Sequence, residues 1–274
     1  MAVSMEDIKT LRTLTGAGMM DVKKALEEAN GDHEKAVELI RKRGLAIAAK
    51  RSERAAEQGC VLAGVKDNFA AIVSVKCETD FVAKNADFVA MTQSILDVAL
   101  ANKVANRDAL LSEKLPTGET VEEIIGLRSG VTGEKMELGA YEVVEAPFVT
   151  LYMHPGNMLA SIVGFNETAS AEMGKEIAMQ VASMNPVSVD ETGVPAEIKS
   201  RELEIAKDKA RQAGKPENLL DRIAEGALNK FYEEFTLLKQ TSILDSKKNV
   251  AEVLKGESKT LTVTDFKRVN LNQD

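Results

Sequence analysis

The sequence predicts an α+β protein with an amino-terminal three-helix bundle, two related halves that each combine an antiparallel sheet with helices, and a protruding antiparallel helical hairpin. Three observations carry this prediction. Short helical repeats fill the first 45 residues, a strand–turn–strand–helix order occurs twice, and a long charged segment near the carboxyl end turns once at Gly-Lys-Pro. Strands and helices in separate runs are typical of α+β folds.

Composition is that of an ordinary globular protein with an acidic surface. Hydrophobic residues make up 44% of the 274 positions and charged residues 28%, which excludes the disordered and membrane-embedded classes. The formal net charge of −8 is the wrong sign for a protein that binds the phosphates of nucleic acid. We therefore expect no nucleic-acid partner.

The amino terminus, "MAVSMEDIKTLR", lacks the apolar stretch and the small-residue cleavage site of a secretory signal. No apolar run is long enough to cross a bilayer. Both observations predict a cytoplasmic protein without a membrane partner. Cys60 and Cys77 fall in strand-like stretches, and we interpret both as packing residues because cytosolic thiols stay reduced.

The first 45 residues carry the pattern of three short helices. Ile8 and Leu11 recur at helical spacing until the two glycines of "TGAG" break the first helix. A second helix stops at Asn30-Gly31, and Asp32 then caps a third helix. The apolar stripes of these two helices comprise Val22, Ala25, Leu26, Ala29, Ala36, Val37 and Ile40. So small a bundle has a marginal core, which indicates a docking module beside a larger body.

Residues 46–57 are rich in alanine and basic side chains and predict a helical linker. The basic cluster from Arg41 to Arg54 is interpreted as a solvated face of that linker. The expected domains are 1–45 for the bundle, 46–57 for the linker, 58–146 for the first core half and 147–274 for the second, with the helical hairpin inserted at about 187–236.

Two stretches beyond the linker share the order strand, turn, strand, helix. The first is "CVLAGV", Lys66-Asp67-Asn68, "FAAIVSV" and a helix that Asn85 caps. The second is "FVTLYMH", Pro155-Gly156-Asn157, "MLASIVGF" and a helix that Ser170 caps. The repetition predicts two related halves, each a sheet covered on one face by helices, joined through a connecting segment near residues 118–144.

The chain becomes more charged after Asn185-Pro186. Pro195 to Ala213 and Asn218 to Phe235 both have helical periodicity, and Gly214-Lys215-Pro216 separates them. We expect an antiparallel hairpin that projects from the body or packs on another protein, because its apolar content is modest for its length. The late run "TLTVTDF" predicts a strand that returns to the second sheet.

Residues that enzymes use for catalysis are scarce in this sequence. The two histidines are His33, on the polar side of the third helix, and His154, at a hairpin tip, and neither pairs with a nucleophile. No stretch has metal-ligand spacing, and "GVTGEK" has the glycines of a P-loop without its spacing or its strand–loop–helix context. We expect no catalytic residue, no metal site and no cofactor.

The stretch "CETDFVAKN" places the carboxylate of Asp80 and the ring of Phe81 where a turn is normally small and polar. One interpretation is a surface probe, in which a rigid apolar ring stands beside a charge that can enter a polar site. The alternative is a ring buried in its own core. The pattern alone leaves both open.

Two motifs carry a resemblance to a known family. "LRTLTGAGMMDVKKAL", residues 11–26, is similar to the amino-terminal signature of bacterial elongation factor Ts, and "CETDFVAK", residues 77–84, is similar to its core signature. With the order of bundle, linker, repeated halves and hairpin, the resemblance covers essentially the whole chain. The sequence departs from the family pattern at Lys76, Gly139 and Ala140, and it is expected to lack a carboxy-terminal helix that some members have.

The resemblance implies a guanine nucleotide exchange factor that binds elongation factor Tu in its GDP-bound and nucleotide-free states. It implies that the bundle is similar to a ubiquitin-associated domain and docks on the GTPase, and that the core segment displaces Mg²⁺ from it. The implied contact residues in the core segment are Thr79, Asp80, Phe81 and Val82. Those in the bundle are Arg12, Met19 and Met20, and Gly133 and His154 are further implied contacts.

Other hypotheses stay open. The bundle could be the main element of a scaffold that binds a helix-bearing partner, and a hydrolase could use a carboxylate pair such as Glu78 and Asp80. Deletion of the residues before Lys50 would abolish all activity of a scaffold but leave an exchange factor some exchange. The stoichiometry is open as well, because the coiled-coil pattern of the hairpin suits a homodimer, a 2:2 complex or a direct partner contact.

Overall fold

A computed structural model of the chain describes residues 3–272 and has an α+β fold. The helices are α1 (Met5–Thr15), α2 (Met19–Glu28), α3 (His33–Ala49), α4 (Asp80–Ala83), α5 (Ala86–Ala101), α6 (Arg107–Ser112), α7 (Val121–Thr132), α8 (Ala171–Met184), α9 (Ala196–Gln212), α10 (Leu220–Phe235) and α11 (Val250–Glu257). The strands are β1 (Gln58–Lys66), β2 (Phe69–Cys77), β3 (Met136–Glu145), β4 (Phe148–Met153), β5 (Leu159–Phe165) and β6 (Val263–Asn270). They form two antiparallel three-stranded sheets, ordered β1-β2-β3 and β4-β5-β6.

The chain divides into two compact units, which are described separately. The first is formed mainly by the chain up to Leu62 and by Ile72–Tyr141, and the second by Ala63–Ala71 and Glu142–Val269. The predicted finer division into bundle, linker and two core halves stays a prediction. Among the described residues, no helix combines the length and the apolar content that a bilayer crossing requires.

Helices α1 to α3 form the predicted bundle at the start of the first unit. Gly16 ends α1 in the left-handed conformation with φ +68°, and Asp32 caps α3 by accepting a hydrogen bond from the Lys35 N–H at 3.1 Å. The core of the bundle comprises Ile8, Leu11, Ala17, Val22, Ala25, Leu26, Ala29, Ala36 and Ile40. The helical stripes read from the sequence therefore face one another.

The linker differs from the prediction. Helix α3 continues to Ala49, and residues 50–57 form turns and irregular chain instead of a helix. Residues 46–49 are helical and continue α3, which packs on α7, a helix that the sequence pattern did not reveal. A Cβ added at Gly130 of α7 would lie 2.3 Å from the Cα of Gly44 of α3, so the two helix backbones are nearly in contact.

The segment at residues 118–144 is also different from the simple connection that was predicted. It forms helix α7, which Thr120 begins with a capping box to Glu123, and then strand β3, which completes the first sheet. The buried residues of β3 are Met136, Leu138, Tyr141 and Val144. This spacing breaks the strict alternation of a strand, which explains why the pattern did not reveal it.

The second sheet confirms the predicted repetition. Strands β4 and β5 pair from Phe148 opposite Phe165 to Met153 opposite Ala160, and Ser170 caps the helix α8 that follows. Strand β6 joins the sheet beside β5, as the late run "TLTVTDF" predicted. Both sheets thus contain a hairpin, then a helix, then a third strand that returns after a long interval.

The antiparallel hairpin of α9 and α10 in the second unit is also confirmed. Gly214 turns the chain with φ +71° between the two helices. The chain enters and leaves the hairpin side by side, because Ser188 and Thr236 form a bridge and the Leu237 N–H donates to the Ser188 carbonyl at 2.9 Å.

Candidate partner-binding site

The Phe81 turn, residues 79–83, consists of Thr79 and the one-turn helix α4 that follows β2. Thr79 caps α4 because its hydroxyl accepts a hydrogen bond from the Val82 N–H at 3.4 Å. Ala83, the last residue of the turn, is buried, whereas Phe81 is 84% exposed. The ring therefore stands in solvent, and the alternative of a ring buried in its own core is wrong.

Asp80 is the acidic neighbour of the exposed ring. Its carboxylate pairs with the Lys84 ammonium at 2.7 Å, and about half of its side chain is accessible. The hydrogen bond from Lys84 lowers the pKa of Asp80 below its usual value, so the group is ionised near neutrality. An ion pair in such an exposed position exchanges readily for other charged or polar partners.

Glu134 holds the beginning of the Phe81 turn from the end of α7. One carboxylate oxygen accepts hydrogen bonds from the N–H groups of Glu78, at 3.2 Å, and Thr79, at 3.0 Å. The other accepts the Thr79 hydroxyl at 2.6 Å. Gly133, the residue next to Glu134, stays a predicted partner contact. Gly133 ends α7 with φ +78° and itself bonds to Ser129.

Glu78 makes the reciprocal contact with the segment after α7. Its carboxylate accepts the Lys135 N–H at 2.5 Å and lies 3.3 Å from the guanidinium of Arg54. The Lys135 N–H and then Arg54 lower the pKa of Glu78. Both carboxylates of the hypothetical hydrolase pair, Glu78 and Asp80, are therefore stabilised in the ionised form. An acid and base pair needs the two pKa values driven apart, so this geometry does not support hydrolysis.

Cys77 lies directly beneath the Phe81 turn. Its thiol donates to the Thr79 carbonyl at 3.3 Å, and both Cys77 and Cys60 are fully buried. Burial, aided by the Glu134 carboxylate, raises the pKa of Cys77 to about 12. The interpretation of both cysteines as packing residues agrees with this burial.

The bundle presents exposed apolar side chains near its α1–α2 turn. Met19 is 47% exposed and Met20 63%, both in the first turn of α2. Leu14, which is 72% exposed at the end of α1, was missed by the sequence analysis. Its position in the sequence could have indicated this exposure, because Leu14 lies away from the helix face that Ile8 and Leu11 form. Arg12 is also exposed, so all three residues named for the bundle are available to a partner.

A cleft of about 1250 Å³ lies within the first unit, between the bundle and helices α5 and α7. Its apolar lining includes Leu14 from the bundle, Met91 from α5 and Leu127 from α7. An ion pair between Asp87 and Arg128, at 2.8 Å, forms part of its wall. This cleft depends on contacts between distant segments, and no local pattern predicted it.

His154 belongs to the second unit and follows the last residue of β4. Its backbone N–H donates to the Leu159 carbonyl at 2.9 Å, and its Nδ1 lies 3.1 Å from the Tyr152 hydroxyl. The side chain is exposed at the predicted hairpin tip, where Gly156 and Asn157 have positive φ. Across residues 3–272, no group of His, Cys, Asp and Glu is large enough to hold a metal ion.

Comparisons with known proteins identify the family of the chain. The family described as Elongation factor TS matches residues 78–273, which include the Phe81 turn and Glu134. The Elongation factor Ts of Porphyromonas gingivalis is 56% identical over 274 residues, and that of Azobacteroides pseudotrichonymphae 52% over 275. The protein of the same name from Bacteroides thetaiotaomicron is 42% identical over an alignment of 332 residues, and all three comparisons cover both chains completely. The chain therefore belongs to the elongation factor Ts family of translation elongation factors.

Proposed function

We propose that this protein is a guanine nucleotide exchange factor for elongation factor Tu during translation elongation in the cytoplasm. It binds the GDP complex of the GTPase, displaces Mg²⁺, promotes GDP release and stabilises the nucleotide-free form. It acts through binding energy and catalyses no covalent step. The observation that carries the proposal is the exposed Phe81 ring on a turn held by Glu134, in a chain of this family.

Phe81 supplies an apolar anchor for the GTPase. Its ring contributes little to folding because it is 84% exposed, so the free energy of its burial is available for binding. Burial of one such side chain contributes about 1.5–3 kcal/mol. Phenylalanine also has few rotatable bonds, which keeps the entropy cost of docking low. Asp80 accompanies the ring and can exchange Lys84 for polar groups of the GTPase.

Phe81 is not sufficient for effective exchange. Each tenfold acceleration of nucleotide release requires about 1.4 kcal/mol, so one ring accounts for one to two factors of ten. The remaining binding energy must come from other surfaces. We assign this task to the second unit, where His154 is exposed, and we assign the exposed methionines of the bundle to the affinity of the complex.

The coupling between this protein and GDP is reciprocal. A factor that lowers the affinity of the GTPase for GDP has its own affinity for the GTPase lowered by GDP to the same extent. The protein then accelerates exchange without selecting GDP or GTP, and the nucleotide concentrations decide which complex forms. The scaffold hypothesis gains no support from the family comparison.

The Phe81→Ala variant tests the proposal. We expect the wild-type protein to accelerate release of a fluorescent GDP analogue from its cognate elongation factor Tu, measured by stopped-flow fluorescence. Loss of the ring should reduce the maximal release rate by about tenfold or more, because the burial energy of the ring is lost.

Leu244→Ala is the matched control, since Leu244 is a large apolar side chain that is 64% exposed on a different segment. Its release rate should equal that of the wild type. Full activity of Phe81→Ala would show that the ring has no role in exchange, and absence of acceleration by the wild type would contradict the proposed function.

A further inference from the structure

We propose that Glu134 is a positioning residue, which holds the Phe81 turn in the geometry that engages the GTPase. This inference rests on the proposed function and assigns a role within it to a side chain that does not itself touch the partner.

The three donors that Glu134 accepts all belong to the junction between β2 and α4. The N–H groups of Glu78 and Thr79 lie where the strand ends and before the helix begins, so neither the sheet nor the helix supplies their acceptors. A carboxylate offers two oxygens and accepts only, which suits three converging donors. Glu134 therefore fixes the point from which α4 departs.

The Thr79 hydroxyl transmits this constraint to α4. Because Glu134 can only accept, the hydroxyl proton must point to its Oε1, at 2.6 Å. A lone pair of the same oxygen is then available to the Val82 N–H at 3.4 Å. Residues on both sides of Phe81 are thus connected to Glu134, while the ring itself has no such restraint in the free protein.

Glu134 is held as firmly as it holds the turn. Gly133 adopts φ +78° at the end of α7, a conformation that favours glycine, and this directs the next residue toward β2. The Glu134 carbonyl accepts the buried Ser129 hydroxyl at 2.5 Å. Glu78 completes the connection in the opposite direction by accepting the Lys135 N–H. Gly133 is therefore assigned to the placement of Glu134.

The chemistry of the contact selects glutamate over its closest substitutes. Glutamine has one acceptor oxygen, so its amide nitrogen would face at least one of the three donors. Aspartate keeps both oxygens but is shorter by one methylene group. We expect Glu134→Gln and Glu134→Asp to lose part of the activity that Glu134→Ala loses.

A double-mutant cycle in the full-length protein tests the inference. The variants are Glu134→Ala, Phe81→Ala and the two combined, and the readout is the maximal rate of fluorescent GDP release together with the concentration that gives half of it. We expect Glu134→Ala alone to lower the maximal rate by about fivefold or more. Combined with Phe81→Ala it should add almost nothing, because Glu134 acts through the ring.

Glu137→Ala is the matched control, since Glu137 is a carboxylate on the same segment that pairs with the Lys135 side chain and not with the turn. It should retain the wild-type rate. Circular dichroism and the unfolding midpoint show whether each variant folds. If Glu134→Ala does not fold, Glu134→Gln takes its place in the cycle.

The inference is overturned if Glu134→Ala releases GDP as fast as the wild type, or if it slows release equally with and without Phe81. Either result, alongside an active wild type and a slow Phe81→Ala, removes the role of Glu134 and leaves the exchange function intact. If the wild type does not accelerate release, both proposals fail.

Discussion

Phe81 and Cys77 show how differently two apolar positions four residues apart can be used. The ring of Phe81 is 84% exposed, whereas Cys77 at the end of β2 is fully buried. The strand buries nearly every one of its side chains, and the chain then leaves the sheet at Glu78 and Thr79. Burial ends with the strand, so the first large side chain of α4 is free to serve as a binding group.

Burial of the two cysteines makes a prediction about thiol chemistry. We expect Cys60 and Cys77 to react slowly with a thiol-specific chromogenic reagent at pH 8, because both are shielded and the pKa of Cys77 is raised to about 12. Denatured protein is the control and should yield two reactive thiols. Rapid reaction of the native protein would contradict the burial.

The same shift predicts how stability changes at high pH. The folded protein keeps the Cys77 proton up to a pKa of about 12, above the unfolded value near 9. Its contribution to the free energy of unfolding is complete below pH 9 and declines as the pH rises from there toward 12. The Cys77→Ala variant has no thiol to titrate at this position, so its free energy of unfolding should decline less between pH 8 and pH 10. Denaturant unfolding at each pH measures the decline.

At the scale of elements, the contact between α3 and α7 depends on glycine. A side chain at Gly130 would meet the backbone of Gly44 at 2.3 Å, and one at Gly126 would meet Leu45 at 2.5 Å. The contact at Gly130 is with backbone, so the helices would have to separate, whereas the contact at Gly126 is with the end of the Leu45 side chain, which can move. Glycine lowers helix propensity at these positions but permits the close crossing.

Substitution of glycine by alanine should have opposite effects inside this contact, at Gly130, and outside it, at Gly226. Gly130→Ala should destabilise the protein by about 1–3 kcal/mol, because the added methyl group forces α3 away from α7. Gly226→Ala is the control in α10, where no atom of the described residues outside the local helix backbone lies within 4 Å of the added Cβ, and it should stabilise by about 0.5–1 kcal/mol. Denaturant midpoints measure both. Equal effects of the two substitutions would show that the helices are not in contact there.

Local patterns predicted most elements where the ends carry their own signals. The caps at Asp32, Asn85 and Ser170 all accept the backbone hydrogen bonds that the sequence led us to expect. Strand β3 escaped prediction because its burial does not alternate, and helix α7 was missed although Thr120 and Glu123 form a capping box. Residues 46–49 were predicted as a separate linker and not as the end of α3, because the packing of α3 on α7 was not foreseen.

At the scale of the whole molecule, the first unit contains two surfaces for which we propose different tasks. The bundle exposes Met19 and Met20, and the Phe81 turn lies on a separate element after β2. Flexible methionine side chains suit a broad docking surface, whereas a ring on a fixed turn suits entry into one pocket. Binding and acceleration should therefore respond to different substitutions.

We expect the double variant Met19→Ser, Met20→Ser to raise the concentration needed for half-maximal GDP release by about tenfold. The maximal rate should change little, because the Phe81 turn is intact. Stopped-flow release measured over a range of concentrations separates the two parameters. Leu244→Ser is the matched control and should change neither. A fall in the maximal rate alone would contradict this division of tasks.

The sequence by itself determined the elements whose signals are local, the repetition of the two halves, and the two motifs that match elongation factor Ts. Only the tertiary structure decided that Phe81 stands in solvent and that Glu134 holds its turn. The reason is distance along the chain, because Thr79 and Glu134 are 55 residues apart and no local pattern encodes their contact. Exposure likewise depends on which distant segments cover a side chain, and none covers Phe81 in the part of the chain that the structure describes.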